Sequence, residues 1–314
     1  MIEYIKIARP DHWFKNIFML PGTALALVML PDHHKGFLFQ FTIGLLSTCL
    51  IASANYVINE YLDAEFDIFH PVKKNRPSVS GLVKPVYVIL EYCLLITIGL
   101  ATAFVVGKLF LFFSVLFLIM GILYNVSPIR LKDRIYIDVV SESFNNPIRF
   151  FLGWHIVEKV YLPPSSILLA YWFGGAFLMA TKRYAEYNKI NDKSCAGRYR
   201  HSFQYYSQNS LLLSMFFYAM NAALFLGVFL VKYRIEFILC FPFIAILFTW
   251  YVWYGLNGDM VAENPEVLYR KWKFLLYTAF VVILIFSLFF IDITGLQFLM
   301  EKHIVSVFGR LNLP

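Results

Sequence analysis

The chain has 314 residues, 60% of them hydrophobic and only 15% charged, with a mean hydropathy of +0.65. Soluble domains carry roughly 25% charged residues, and one core of this size cannot hide so much apolar surface, so a soluble fold is excluded and an all-α, polytopic membrane protein is expected. The net charge of +7 admits either nucleic acid or anionic lipid and phosphate as partners. With 33 Phe and 20 Tyr in long apolar runs, and no aromatic interleaving of the basic loops, nucleic acid is set aside.

The N-terminal stretch carries Glu3, Lys6 and Arg9 and lacks a signal-peptide cleavage pattern. Apolar stretches of bilayer-crossing length then fall near 14–31, 37–61, 85–106, 108–125, 136–157, 163–186, 208–231, 235–255 and 274–295, nine spans in one domain over 1–314. Short links at 31–35, 107–108 and 232–234 alternate with longer polar ones, so every long link falls on one side. That side holds 19 of the 27 Lys and Arg, which predicts cytoplasmic long loops and N-terminus and an outside C-terminus. Cys49, Cys93, Cys195 and Cys240 show no close pairing or metal spacing, and no disulfide is expected.

The second span ends in Asn55-Tyr-Val-Ile-Asn59-Glu60-Tyr-Leu-Asp63-Ala-Glu65-Phe-Asp67. A helix through this segment puts Asn55, Asn59, Asp63 and Asp67 on one stripe. Neighbouring carboxylates there repel by about 3 kcal/mol per pair at about 6 Å and an effective dielectric near 20, a penalty that a bound cation removes. Hard oxygens at a partly solvated helix end suit Mg²⁺; the simpler reading is a solvated helix terminus. Pro71 is expected to end the helix, and Lys73, Lys74 and Arg76 follow, returning cations toward the carboxylates. Metal and cations together describe a diphosphate site.

The fifth span supplies a second face, with Asp138, Glu142, Asn145 and Arg149 at i, i+4, i+7 and i+11. Ionised groups at membrane depth cost about 2.5–3.5 kcal/mol and normally face a bundle interior or aqueous cavity, so this stripe implies a cavity; the simpler reading is an Arg149–Glu142 ion pair that fixes packing. Just before it lie Arg130, Lys132 and Asp133, cations beside an acid. The sixth span closes on Lys182-Arg183-Tyr-Ala-Glu186, where Lys182 and Glu186 form an i, i+4 surface pair in the simpler reading. Lys15, near Trp13, serves equally as membrane anchor or substrate contact. No P-loop, G-x-S-x-G or His/Cys metal pattern is present.

These residues resemble the UbiA superfamily of intramembrane transferases. Its first motif, N-D-x-x-D-x-x-x-D, stands here as Asn59-Glu60-Tyr-Leu-Asp63-Ala-Glu65-Phe-Asp67, with Glu60 a departure that keeps charge and lengthens the side chain. The chain is similar in particular to the branch of decaprenyl-phosphate phosphoribosyltransferases. The matching segments are Arg9-Pro10-Asp-His-Trp13-Phe-Lys15-Asn16, His70-Pro71-Val-Lys73-Lys74-Asn-Arg76-Pro77, Leu131-Lys132 followed by Asp138 and Arg149, and Lys182-Arg183 with Glu186. Asn145-Asn146-Pro147 and Trp154 are atypical beside the small apolar residues expected there.

The resemblance implies a nine-helix bundle whose central cavity opens at the cytoplasmic face, with Mg²⁺ held by Asn59, Glu60, Asp63 and Asp67. It implies Mg²⁺-dependent transfer of a 5-phosphoribosyl group from phosphoribosyl diphosphate to a polyprenyl phosphate. Asp63, Asp67, Asp138 and Glu142 are then the catalytic candidates, Asp138 and Glu142 holding ribose hydroxyls or a second metal. Asn55, Lys73, Arg76, Lys132, Lys182 and Arg183 would bind substrate, and Arg149 or Lys15 the lipid phosphate. The alternatives are a prenyltransferase using a prenyl diphosphate and an aromatic or other small acceptor, and a transporter or lipid-binding membrane protein. For the last class no internal repeat of the usual kind is visible.

Overall fold

Apolar runs become helices in the computed structural model of the protein, which describes residues 2–30, 36–70, 72–190, 193–263, 265–297, 303–306 and 309–312. The first part of the chain forms α1 (Ile2–Ala8), α2 (Leu20–Met29), α3 (Phe37–Asp67), α4 (Pro85–Val106), α5 (Lys108–Asn125), α6 (Ile137–Ser143) and α7 (Asn145–Val157). It continues with α8 (Ser165–Lys189), α9 (Lys193–Tyr199), α10 (Gln208–Tyr233), α11 (Phe241–Leu256), α12 (Met260–Glu263), α13 (Trp272–Leu288) and α14 (Thr294–Gln297). Two short antiparallel strands, β1 (His303–Ser306) and β2 (Gly309–Asn312), pair with Ile304 opposite Leu311, a small departure from the expected all-helical chain.

Among the described residues five helical segments are long and apolar enough to cross a membrane: Phe37–Asp67, Pro85–Val106, Lys108–Asn125, Gln208–Tyr233 and Ile235–Leu256. The protein is therefore a multi-pass membrane protein. The third and fourth spans have the boundaries expected, because Pro85 opens α4 with a preset φ and Gly107, at φ +152°, separates α4 from α5 in a conformation that side chains avoid. Among the rest, spans 14–31, 136–157 and 274–295 differ in form. Span 14–31 is a 3₁₀ segment (Pro10–Met19) followed by the ten-residue α2. Span 163–186 is the single helix α8, whose last turns carry Lys182, Arg183, Glu186 and Lys189, and span 274–295 shrinks to the 17-residue α13. The link 31–35 and Pro71 lie outside the described residues.

The expected fifth span breaks between α6 and α7 at Phe144. Pro147 has no N–H to offer the C=O of Ser143 one turn back, and its ring crowds that carbonyl. Asp138 and Glu142 thus belong to one helix and Asn145 and Arg149 to another, so the four do not form the continuous stripe that the spacing implied.

Lipid offers helices no hydrophobic reason to associate, so close backbone approach and polar contacts do that work. At the α2–α7 crossing a Cβ on Gly153 would lie 1.9 Å from the carbonyl oxygen of Met19, and one on Gly22 would lie 2.2 Å from that of Phe150. Thr23 Oγ1 reinforces the crossing by donating to the C=O of Gly153 at 2.9 Å. α3 packs against α4 and α5, and α8 against α10. The main core, including Ile51, Phe110, Phe117, Phe150 and Leu152, fills the space between α3, α5 and α7, while side chains such as Phe104, Leu94 and Phe216 point outward.

Candidate functional site

α3 carries the first acidic face. The helix runs unbroken to Asp67, so Asn55, Asn59, Asp63 and Asp67 share one stripe as their spacing requires. Asn55 donates from Nδ2 to the C=O of Phe117 on α5 at 3.0 Å, and its buried Oδ1 has no partner. Asn59 donates to Asn125 Oδ1 at 2.6 Å and to Asp63 Oδ2 at 3.2 Å. Asp63 Oδ1 accepts from Arg130 at 3.0 Å and from Lys132, which also reaches Asn125 Oδ1 at 2.8 Å. Burial pulls the Lys132 ammonium down to about 8 against the opposing pull of Asp63. Asp67, 2% exposed, is paired with Arg76.

Glu60 faces Arg9 in the N-terminal segment through one oxygen, while its buried Oε1 has no partner among the described residues. Its Oε2 accepts from Arg9 Nε at 3.0 Å and Nη2 at 2.7 Å, and the residue is 2% exposed. One position from Asn59 on a helix is a turn of about 100°, enough to direct Glu60 toward the N-terminal segment. The longer side chain of this departure from the motif ties down Arg9, which sits at φ +49° at the start of the 3₁₀ segment.

The second acidic face meets α8 and the loop after it. Asp138 is fully buried and accepts from Tyr206 at 2.7 Å, Ser202 at 3.2 Å, and Arg183 and Arg200 at 3.4 Å each. Glu142 accepts from Tyr124 at 2.7 Å and is paired with Arg183. Arg183, 1% exposed, also holds Glu186 at 3.0 Å, and Lys73 holds the other Glu186 oxygen at 3.2 Å. Burial works against the Lys73 ammonium, but Glu186 and the Tyr199 hydroxyl outweigh it and hold its pKa above the ordinary lysine value. Asp138 therefore holds two guanidiniums in place.

Lys182, one residue before Arg183, makes no hydrogen bond or ion pair among the described residues. Arg149 does not pair with Glu142; its Nε donates to Asn16 Oδ1 at 3.0 Å. Lys15 contacts His12 Nδ1 at 3.1 Å and lies over the Tyr56 ring. An open cleft of about 500 Å³ beside Arg130, lined also by Arg134, His201 and Tyr205, borders the site.

His70 closes the turn below Asp67, its Nδ1 accepting the N–H groups of Val72 at 3.1 Å and Lys73 at 3.2 Å. Burial, then the neighbouring Lys73 ammonium, pushes its pKa from 6.5 down to about 3. The unfolded chain takes up this proton first, so stability is complete above about pH 6.5 and falls as pH drops toward 3. Thermal melts in detergent should show a loss of about 2 kcal/mol between pH 6.5 and 5, and His70→Asn should flatten that slope. An unchanged slope would exclude His70 as its source.

The donors of the first face fit Mg²⁺. Among the described residues no three Asp, Glu, His or Cys side chains converge on one point, so no ready-made cage exists. Asp63 and Asp67, with Asn59 a turn earlier, supply hard oxygens along one helix edge, and Mg²⁺ commonly takes one or two carboxylates and completes its shell with water and substrate phosphate.

Sequence spacing located Asp63, Asp67, Lys73, Arg76, Lys132 and Arg183 at this end of the helices. It named Arg130 only as a cation beside an acid, and it missed Asn125, Tyr124, Tyr199, Arg200, Ser202 and Tyr206 as members of the networks. Arg130 stood two residues from Lys132 as a doubled cation, a usable signal; Arg200 and Tyr206 lie in a polar loop with no local pattern.

Comparison with known proteins follows the same residues. Residues 19–274 match the UbiA prenyltransferase family. A decaprenyl-phosphate phosphoribosyltransferase of Mycobacterium tuberculosis is 31% identical over 187 residues, covering 58% of this chain and 59% of that protein. The one from Mycolicibacterium smegmatis is 28% identical over 184 residues, covering 58% and 56%. The chain thus spans less than two thirds of the length of these curated relatives. Among solved structures, a UbiA homologue of Archaeoglobus fulgidus bound to DMAPP and Mg²⁺ has a TM-score of 0.69 at 21% identity, covering 92% of this chain and 100% of that one.

Proposed function

Because this chain belongs to the UbiA prenyltransferase family, we propose that it transfers a 5-phosphoribosyl group from phosphoribosyl diphosphate to a polyprenyl phosphate, releasing diphosphate. The observation that carries this reading is the surplus of cations at the acidic end. Arg76, Arg130, Lys132, Lys73, Lys182, Arg183 and Arg200 outnumber Asp63, Asp67, Asp133, Asp138, Glu142 and Glu186 by one. A prenyl diphosphate brings only its diphosphate; the phosphoribosyl donor brings one phosphate more, which fits the surplus. The similarity to named phosphoribosyltransferases over 187 residues supports the same donor.

In this reading Asn59, Asp63 and Asp67 would hold Mg²⁺, which supplies neutralisation of the charge that develops on the leaving diphosphate. Arg130, Lys132 and Arg76 exchange their carboxylate partners for phosphate oxygens as the donor enters. Lys73, Lys182 and Arg183 lie on the far side of the same end and take the 5-phosphate. The lipid phosphate, already an anion, needs no general base. One of its oxygens bonds to the anomeric carbon as the bond from that carbon to the diphosphate oxygen breaks. The shorter apolar segments complete nine spans around this end, which faces the cytoplasm.

The test incubates purified protein in lipid nanodiscs with Mg²⁺, labelled phosphoribosyl diphosphate and decaprenyl phosphate, and in parallel with a labelled prenyl diphosphate and 4-hydroxybenzoate. Label in lipid is expected in the first reaction and EDTA should abolish it. Product only in the second reaction would replace this reading with prenyl transfer.

A further inference from the structure

Arg149 is set apart from the other cations at this end of the helices. Arg76, Arg130, Arg183 and Arg200 each hold a carboxylate; Arg149, 8% exposed, holds none among the described residues. Its Nε is fixed by Asn16 Oδ1 at 3.0 Å, and one face of the guanidinium lies 4.8 Å from the centre of the Phe117 ring. Asn16 is 1% exposed, and its Nδ2 donates to Cys49 Sγ at 3.2 Å, which sets the amide so that Oδ1 faces Arg149. The two terminal amino groups of Arg149 make no hydrogen bond among the described residues, yet they are absent from the fully enclosed polar atoms. They are held in one orientation and open to an occupant.

Glu142 lies within electrostatic reach of Arg149, but its carboxylate is already committed to Arg183 and Tyr124. An unpaired charge at membrane depth is costly, so a group of opposite charge is expected there in the working protein. A planar guanidinium with two outward N–H groups matches phosphate better than a single carboxylate oxygen. The surroundings select the rest of that molecule. The Phe117 ring against the guanidinium is buried and apolar, and Arg149 stands on α7, the helix after the one that carries Asp138 and Glu142.

We propose that Arg149 seats the phosphate monoester of a lipid whose chain runs among the apolar helices. Resting on the transfer reading above, this lipid is the acceptor. Asn16 is a positioning residue that orients the guanidinium through its amide.

Binding and turnover separate the two ideas. Protein in phosphatidylcholine nanodiscs is titrated separately with decaprenyl phosphate, decaprenol, inorganic phosphate and phosphoribosyl diphosphate, one ligand at a time. Arg149→Met should weaken decaprenyl phosphate binding by about thirtyfold or more, as expected for truncating one side of a buried charge pair, and leave phosphoribosyl diphosphate affinity within about twofold. Arg149→Lys should recover part of the loss. Asn16→Ala, which keeps the charge, should raise the lipid KM with little change in kcat, and it carries the test if Arg149→Met does not fold. Unchanged lipid binding in these variants overturns the seat, as does an equal loss of sugar diphosphate binding or equal retention of decaprenol. Lipid phosphate binding that depends on Arg149 without any phosphoribosyl transfer by the native protein would instead leave the seat standing and overturn the transfer reading.

Discussion

Asp63→Asn is expected to lower kcat for transfer by about 10²–10³-fold, the scale for removing one preorganised group that stabilises developing charge. Asp63 now binds Arg130 and Lys132 and accepts from Asn59. Asparagine keeps the shape and one acceptor oxygen but removes the charge that would hold Mg²⁺. The two cations lose their counter-ion yet gain freedom to grip phosphate, so the KM for the diphosphate donor should stay level or fall while kcat collapses. Asp67→Asn should act in the same direction, with Arg76 as the released cation. Asp292→Asn removes the partner of Arg234 at the other end of α10 and serves as the control, with turnover within about twofold expected for a surface substitution. Steady-state kinetics at fixed lipid phosphate decide the matter. A donor KM that rises with kcat unchanged would make Asp63 a binding residue only, and undiminished Mg²⁺-dependent turnover would remove it from the mechanism.

Arg183→Met should be the most destabilising single change at this end. Arg183 is 1% exposed and holds Asp138, Glu142 and Glu186 together. Losing it leaves three neighbouring carboxylates with Lys73, Arg200 and the hydroxyls of Tyr124, Tyr206 and Ser202 as their remaining partners. Breaking a buried pair from one side costs about 3–5 kcal/mol, which corresponds to a fall in melting temperature of about 10 °C. Arg183→Lys keeps the charge but cannot serve three acids with one fixed fork, so it should melt between the two. Double variants sharpen the test. Glu142→Gln in the Arg183→Met background should recover stability by lowering carboxylate repulsion, whereas in the native background it should cost. A melting curve for Arg183→Met that overlays the native one would show that these acids are held by other groups.

The acidic end of α3 was readable in sequence because a helix repeats every 3.6 residues, and Asn55, Asn59, Asp63 and Asp67 follow that repeat. The boundaries of α4 and α5 were readable for a similar reason, Pro85 and Gly107 being local conformational signals. Glu60 stands one residue off the α3 stripe, and only the fold placed it against Arg9, 51 residues away in the chain. The stripe through Asp138 and Arg149 was overextended because helical periodicity was given more weight than Pro147.

Composition and hydropathy alone decided that this chain lives in a membrane, since 60% apolar residues cannot be hidden in one soluble core. Periodicity decided where its carboxylates gather, and the charge of +7 placed most of the cations in the same loops. Which cation meets which acid was decided only in three dimensions. Tyr206 and Arg200 reach Asp138 from 68 and 62 residues away, and Asn16 meets Arg149 across 133. Coulomb attraction and hydrogen bonding depend on distance in space, and local sequence spacing reports that distance only within one helix. Arg149, which spacing had paired with Glu142, is left by the packing with its amino groups open to an anion.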